Sequence, residues 1–260
     1  MFEGQSVAVT GASGGIGRAV AQMFVEQGAK VAISDLSVPT ETAEGIGAKA
    51  YACDVSNEAD VQSFITQAEA DNGPIDIYVS NAGVGFSDYP PGHAAGADNK
   101  AWETSWQVNV MASVYAARAL LPHWIERGSG RFVITASAAG LLGQIGSASY
   151  TATKHAAVAF AESIAIEHAA HGIKSHCICP QYVRTNMTKG MKFAENSKDG
   201  LIEPSDVAEA LRATIEADKF LVLPHPIVGE YYKARALDTD GWLNGMTRLR
   251  AKVSSADVAL

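Results

Sequence analysis

The chain has 260 residues, 47% hydrophobic and 18% charged, a balance that belongs to a folded globular protein and excludes a disordered one. With 20 Lys and Arg against 28 Asp and Glu the net charge is −8, which argues against a nucleic-acid partner, since phosphate binding needs a concentrated basic face. The length gives one large domain or two small ones, with ample chain to bury a core.

In chain order, a first strand is predicted at 7–9, where Val7, Ala8 and Val9 run into a loop holding Gly11, Gly14, Gly15 and Gly17. Ala19, Val20, Met23 and Phe24 follow at helical spacing, and Gly28 closes that helix. Strands are predicted at 31–33 and 48–53, a helix at 58–71 stopped by Asn72-Gly73-Pro74, and a strand at 75–79. A helix over 99–127, a strand at 132–134 and a long helix over 149–170 ended by Gly172 come next. The strand at 174–179 stops at Pro180. A helix opens at Pro204-Ser205-Asp206, capped by Ser205 or Asp206, and 220–223 is a last short strand. Strands alternating with helices, and apolar nearly throughout, predict an α/β fold: one doubly wound parallel β-sheet with helices on both faces. A further helix is expected after 226, carrying Tyr231, Tyr232, Trp242, Leu243, Met246 and Leu249, whose side chains read as packing.

The densest basic stretch, 233–252, holds five Lys and Arg but is mixed with Asp238 and Asp240, so it reads as solvated surface. No run of about 18 apolar residues exists, so no membrane-spanning helix is predicted. The N-terminus, with Glu3, lacks the basic-then-apolar pattern of a signal peptide. Cys53, Cys177 and Cys179 are an odd count without metal-type spacing. They read as buried free thiols in a reducing cytosol, and a cytoplasmic location is expected.

The strand–loop–helix at the N-terminus is a place for a pyrophosphate, because helix N-terminal amides and their partial positive charge favour anions. Gly11, Gly15 and Gly17 follow a G-x-x-x-G-x-G spacing. The G-x-G-x-x-G pattern fails at Val20, and no Gly-Lys-Ser/Thr follows for a P-loop. A plain tight turn stays an alternative. Asp35 ends the second strand, 18 positions after Gly17, where a carboxylate can accept hydrogen bonds from both ribose hydroxyls. A 2′-phosphate would meet that charge, and no Lys or Arg stands at Ser13, Gly14 or Leu36 to receive it. NAD is therefore expected over NADP, with a helix-capping Asp35 as the competing reading.

Tyr150 and Lys154 stand four apart at the start of the long helix, on one face. An ammonium about 6 Å from a phenol contributes roughly 2.8 kcal/mol at an effective dielectric of 20, about 2 pK units toward the ionised form. The pair is a plausible proton-transfer device, although the spacing alone also describes an exposed helical pair. Ser137 follows the strand at 132–134, Asn81-Ala82-Gly83 follows the strand at 75–79, and the glycine loop follows the first strand. Three such loops converge on the carboxyl edge of a parallel sheet, where ligands bind.

With these residues in view, the chain resembles the short-chain dehydrogenase/reductase family over roughly 4–223. The resemblance rests on Thr10 to Gly17, Asp35, Asp54-Val55, Asn81-Ala82-Gly83, Trp102 with Asn109, and Ser137 thirteen residues before Tyr150, with Lys154. It implies a Rossmann fold with NAD held by Gly11, Ser13, Gly14, Gly15, Ile16, Gly17, Asp35, Leu36, Asp54, Val55, Asn81, Ala82, Gly83, Tyr150, Lys154, Pro180, Val183 and Thr185. It also implies Tyr150 as general acid/base, Lys154 on the nicotinamide ribose, Ser137 on the substrate oxygen and Asn109 supporting a proton-relay water. The expected partner is a small-molecule alcohol or ketone, with residues 1–225 as the cofactor-binding and catalytic domain.

Two departures from the family stand out. Gln181 replaces the usual glycine after Pro180, and the usual late strand ending in a glycine pair is missing. Residues 226–260 are instead a helical extension, packed on the domain or on a neighbouring subunit. A homodimer through the two long helices is expected, with a homotetramer in doubt. The substrate pocket is expected under a mobile segment at 184–201, walled by Gln144, Tyr182, Met187, Met191 and Phe193, with Phe86 and Tyr89 nearby. That apolar lining points to a hydrophobic secondary alcohol. His168 and His171 have no third partner at metal spacing, so no metal is expected, and without a G-x-S-x-G elbow hydrolase chemistry does not fit. The rivals are a non-catalytic NAD-binding regulator or scaffold, and a 3-oxoacyl thioester reductase. The intact set of Asn109, Ser137, Tyr150 and Lys154 argues against the first. Asp35 argues against the second, because that chemistry usually draws on NADPH.

Overall fold

The computed structural model describes residues 1–195 and 197–252, apart from the side chains of Lys192 and Phe193. Its strands are β1 (Ser6–Thr10), β2 (Lys30–Asp35), β3 (Lys49–Ala52), β4 (Ile77–Ser80), β5 (Gly130–Thr135), β6 (Ile173–Ile178) and β7 (Leu221–Val222). They form one sheet in the order β3-β2-β1-β4-β5-β6-β7, with every neighbouring pair parallel. The helices are α1 (Gly15–Glu26), α2 (Thr40–Ile46), α3 (Glu58–Asn72), α4 (Asn99–Trp106), α5 (Ala112–Arg127), α6 (Ala148–His168), α7 (Lys192–Glu195), α8 (Pro204–Glu216), α9 (Ile227–Leu237) and α10 (Thr239–Lys252).

Side chains alternate across each strand, so an apolar run feeds two cores at once. In β1, Val7 and Val9 join Val20, Phe24 and Leu211 from α1 and α8. Ala8 points the other way, to Phe64, Leu120 and Trp124 from α3 and α5. β5 divides likewise, with Val133 on the first face and Phe132 and Ile134 on the second. Trp124 anchors the second core: its indole N–H donates to the Ile75 carbonyl at 2.8 Å, and its ring meets Phe132 edge-on at 6.1 Å. Strand order reverses at β1, which lies between β2 and β4, so the helices that follow β1 and β4 pack on opposite faces and a crevice opens at the carboxyl edge of the sheet.

The predicted strands and helices all occur, and α2 and the four-residue α7 are additional. α2 goes unseen in the sequence because its seven residues bury only Thr42, Ala43 and Ile46, too few to establish a period. The helix expected over 99–127 is α4 and α5 joined by a π turn at Gln107–Met111, which contains Asn109. α8 is capped by Glu203, not by Ser205 or Asp206. Asp206 lies three residues on and accepts from the Glu203 N–H at 2.9 Å, completing a reciprocal pair with Pro204 at the first helical position. The expected helix after 226 is two, because Asp238 leaves the helical path and its carboxylate accepts from Gly241 N at 2.8 Å to start α10. The three cysteines are buried and unpaired. Among the described residues no helix is long and apolar enough to cross a membrane.

Because Trp124 is fully buried and hydrogen-bonded, Trp124→Ala is expected to cost about 3–5 kcal/mol of stability. Urea unfolding monitored by circular dichroism measures this, and a loss below about 1 kcal/mol would contradict the assigned core.

Candidate active site

The loops at the carboxyl edge of the sheet wall a cleft of about 390 Å³. Every residue expected to hold a cofactor lies on its walls except Gly17. A Cβ at Gly17 would stand 2.3 Å from the Gly11 carbonyl oxygen and 2.6 Å from the Asn81 amide nitrogen, so this glycine lets α1 press on the loops behind the cleft. Gly11, at φ +63, is equally confined, since a Cβ there would stand 2.7 Å from Ala82 Cα. The Asn81 amide donates to the Thr10 and Gly11 carbonyls at 3.0 Å each, and the Thr10 hydroxyl accepts from Asn81 N at 3.1 Å. The loops after β1 and β4 are thus one stitched unit. At the start of α1 no side chain caps the helix, so its first amides are left to the cleft, an arrangement that fits a pyrophosphate.

Asp35 borders the same cleft and does not cap a helix. Its carboxylate accepts from Ser13 N at 3.0 Å and Leu36 N at 2.9 Å, which fixes it beside the glycine loop. Among the described residues Lys154 is the one cation on the cleft walls. The Asp35 carboxylate can accept hydrogen bonds from the ribose hydroxyls of a dinucleotide. On the far side, Asp54 is held by Ser56, whose N–H and hydroxyl donate to it at 2.9 and 2.7 Å, and Cys53 joins Asp54 and Val55 on the wall.

Ser137, Tyr150, Lys154 and Asn109 come together at the other end, and all four are buried. Lys154 Nζ donates to the Thr135 carbonyl at 2.9 Å and lies 5.6 Å from the Tyr150 ring centroid. Both side-chain protons of Asn109 are engaged, with the Val84 carbonyl at 2.9 Å and the Thr153 hydroxyl at 3.0 Å, while its oxygen accepts from Val84 N at 2.9 Å. Its amide therefore clamps the loop after β4 to α6. Gly83 lets that loop close down, since a Cβ there would stand 3.2 Å from Lys154 Nζ and 3.3 Å from the Asn109 oxygen.

The electrostatics correct a simple expectation. Burial pushes the Tyr150 phenol above its ordinary value, and a hydrogen bond with Ser137 only partly opposes it. Burial also lowers the Lys154 ammonium to about 8. The site excludes water from both groups, so desolvation outweighs the help that a fully charged lysine would give.

Beyond Ser137 and Gln181, the two residues shared with the cleft, a second cavity of about 480 Å³ opens. Gln144 and Tyr182 wall it. Met187 lines the cofactor cleft instead, because the turn at Asn186–Thr188 carries it there. Met191 is buried and walls neither, Tyr89 is exposed, and Phe193 lies outside the described side chains. Tyr231, Trp242, Met246 and Leu249, expected to be plain packing, border the second cavity. Gln181 donates from Nε2 to Asp199 at 3.2 Å, and the Tyr231 hydroxyl donates to the same carboxylate at 3.1 Å. Three further supports go unseen in the sequence reading: Thr135, Thr153, and Thr188, whose hydroxyl accepts from Thr185 N at 3.1 Å. The Thr185-x-x-Thr188 spacing of a capping box signals the last.

The short chain dehydrogenase family profile matches residues 5–196. The chain is 35% identical over 200 residues to 3beta-hydroxysteroid dehydrogenase 2 of Eggerthella lenta, covering 74% of this chain and 76% of that one. It is 32% identical over 217 residues to the mitochondrial borneol dehydrogenase of Lavandula x intermedia, covering 80% and 82%. The solved structure of 3-ketoacyl-(acyl-carrier-protein) reductase from Brucella melitensis, complexed with NADH, superposes with a TM-score of 0.78 at 30% identity, over 85% of this chain and 95% of that one. The chain belongs to the short-chain dehydrogenase family, whose members are oxidoreductases that use NAD(H) or NADP(H).

The glycine loop yields a paired prediction. Gly11→Ala is expected to lose NADH binding and stability, since its Cβ meets backbone, whereas Gly14→Ala meets open space and stays within about 0.5 kcal/mol of the parent. Fluorescence titration with NADH and urea unfolding read both, and equal behaviour of the two variants would contradict the packing described.

Proposed function

We propose that the protein is an NAD-dependent oxidoreductase that interconverts a hydrophobic secondary alcohol and its ketone: alcohol + NAD⁺ gives ketone + NADH + H⁺. The observation that carries the reading is the position of Ser137, on the walls of both the cleft and the second cavity, beside buried Tyr150 and Lys154. When bound, NAD supplies the hydride acceptor. Asp35, Ser13, the amides at the start of α1, Asp54, Val55 and the Asn81–Gly83 loop would hold it, with Pro180, Val183 and Thr185 at the opposite wall. The Tyr150 phenolate takes the hydroxyl proton in oxidation, and the phenol returns it in reduction. The Ser137 hydroxyl, within reach of Tyr150, orients the substrate oxygen. Lys154, fixed on the Thr135 carbonyl, places its ammonium beside the phenol at neutral pH. A cytoplasmic homodimer built through α5 and α6, with 226–260 as an extension of a 1–225 domain, completes the proposal.

A 3-oxoacyl thioester reductase is the second reading. The Brucella melitensis structure bears that activity in its name together with NADH, so an NAD-type site is no argument against such a substrate. Initial rates with acetoacetyl thioesters against a panel of secondary alcohols and ketones separate the two. A non-catalytic regulator predicts NADH binding and no turnover of either.

Tyr150→Phe is expected to lower turnover at least a hundredfold, about the share that positioned acid–base catalysis supplies, while NADH still binds. Near-normal turnover would sink the assignment. Because burial holds the Tyr150 phenol above its ordinary value, phenolate is scarce at neutral pH. Alcohol oxidation is therefore expected to climb from about pH 7 to about pH 9.5, while ketone reduction, which uses the neutral phenol, does not climb. Initial rates in both directions test this, and an oxidation rate that falls over that range contradicts it. Asp35→Ser is expected to weaken NADH binding about tenfold and to narrow the margin over NADPH. An unchanged preference in isothermal titration would remove Asp35 as its source.

A further inference from the structure

The helix α10 has an unusual relation to the rest of the molecule. None of its described residues is fully buried. Trp242, Gly245, Met246, Leu249 and Arg250 are half-buried, at the 3, 4, 7 and 8 spacing of one helical face, and every other described position on α10 is exposed. An apolar stripe of this kind ordinarily seats on a packed core. Here Trp242, Met246 and Leu249 look into the second cavity, opposite Leu142, Ile145 and Tyr182. Trp242 and Met246 also border a third, more open cavity of about 730 Å³ on the far side of the loop at 142–146. Trp242 meets the Tyr231 ring at 6.3 Å, but the inner face of α10 otherwise roofs open space on both sides of that loop and is packed less fully than a core would pack it.

Three polar groups of the second cavity are tied to one another, while Gln181 Oε1 is buried at the doorway without a partner among the described residues. The Asp199 carboxylate takes the Tyr231 hydroxyl and the Gln181 amide, and the Lys198 ammonium lies 5.5 Å from the Tyr231 ring centroid. This bridge runs from Gln181, at the doorway to the cofactor cleft, to α9, which carries α10. The rest of the wall is largely apolar, from Leu142, Ile145, Trp242, Met246 and Leu249, and a cavity of about 480 Å³ is in the range that holds drug-sized ligands.

We infer that the inner face of α10 is the specificity wall of the active site, selecting secondary alcohols and ketones with an apolar body of two or more rings over one-ring compounds. The inference rests on the hydride-transfer reading above and names its substrate class. A one-ring alcohol held at Ser137 leaves the cavity-facing sides of Trp242, Met246 and Leu249 uncovered, whereas a two-ring body reaches them and completes the packing of α10.

The test compares cyclohexanol with decahydro-2-naphthol at saturating NAD⁺. The parent enzyme is expected to show kcat/KM at least tenfold higher for the two-ring alcohol. Trp242→Ala/Met246→Ala is expected to collapse that ratio at least tenfold, through KM for decahydro-2-naphthol, with NADH affinity within twofold of the parent. No two-ring preference in the parent, or an unchanged ratio in the double variant, overturns the inference. A binding measurement covers a double variant that does not fold and a parent that oxidises neither alcohol. Decahydro-2-naphthol is expected to change the tryptophan fluorescence of the NADH-saturated parent, and the change is lost in Trp242→Phe. If neither alcohol reduces NAD⁺ but the fluorescence change is present, the hydride-transfer reading fails and the wall stands. If the change is absent, or persists in Trp242→Phe, the wall fails.

Discussion

Where β1 and β4 run side by side, the loops that follow them meet with no room for another carbon between Gly11, Gly17, Asn81 and Ala82. The contact is held by the Thr10 hydroxyl and the Asn81 amide, which join the two loops by hydrogen bonds instead of leaving them to part independently. This stitched crossing sets where α1 begins, and so where its uncapped amides point. It also sets the depth of the cleft, because the floor is backbone. Everything else at the site is placed from this crossing outward: Asp35 through Ser13 on one side, and Gly83 with Asn109 and Lys154 on the other.

The reactive end is arranged around a different constraint, the cost of burying charge. Lys154, wholly enclosed, gives up part of its proton affinity and keeps one hydrogen bond to Thr135. Tyr150 is raised by the same enclosure. A dry site of this kind holds its tyrosine neutral until further positive charge arrives, and then small additions of charge act at full strength, since little water screens them. Asn109 and Thr153 bear no charge. They fix the loop after β4 and α6 relative to each other, so the phenol, the hydroxyl of Ser137 and the ammonium keep their spacing.

Much of this was legible in the residues alone. Short unbroken apolar runs and helix spacing marked the order of strands and helices, because strands buried on both faces show no alternation. Asp35 and the Ser137, Tyr150, Lys154 set were legible because each follows a strand or starts a helix at the same edge of the sheet. Other features were not. α2 is too short for a period, the π turn at Asn109 leaves no mark on an otherwise helical pattern, and the role of Gly17 depends on what lies 2.3 Å from a carbon it does not have. The walls of the second cavity were least legible. They are assembled from the loop at 142–145, Asp199 and α10, which only tertiary packing brings together, so no local pattern marks Trp242 as one of them.

The account as a whole turns on a single location, the doorway between the two cavities formed by Ser137 and Gln181. A crystal structure of the NADH complex examines it most directly. The account predicts the adenosine ribose on the Asp35 carboxylate and the nicotinamide ring at the doorway, beside Tyr150 and Lys154. A nicotinamide ring ordered away from Ser137 and Tyr150, or a dinucleotide bound on another face of the sheet, would contradict it.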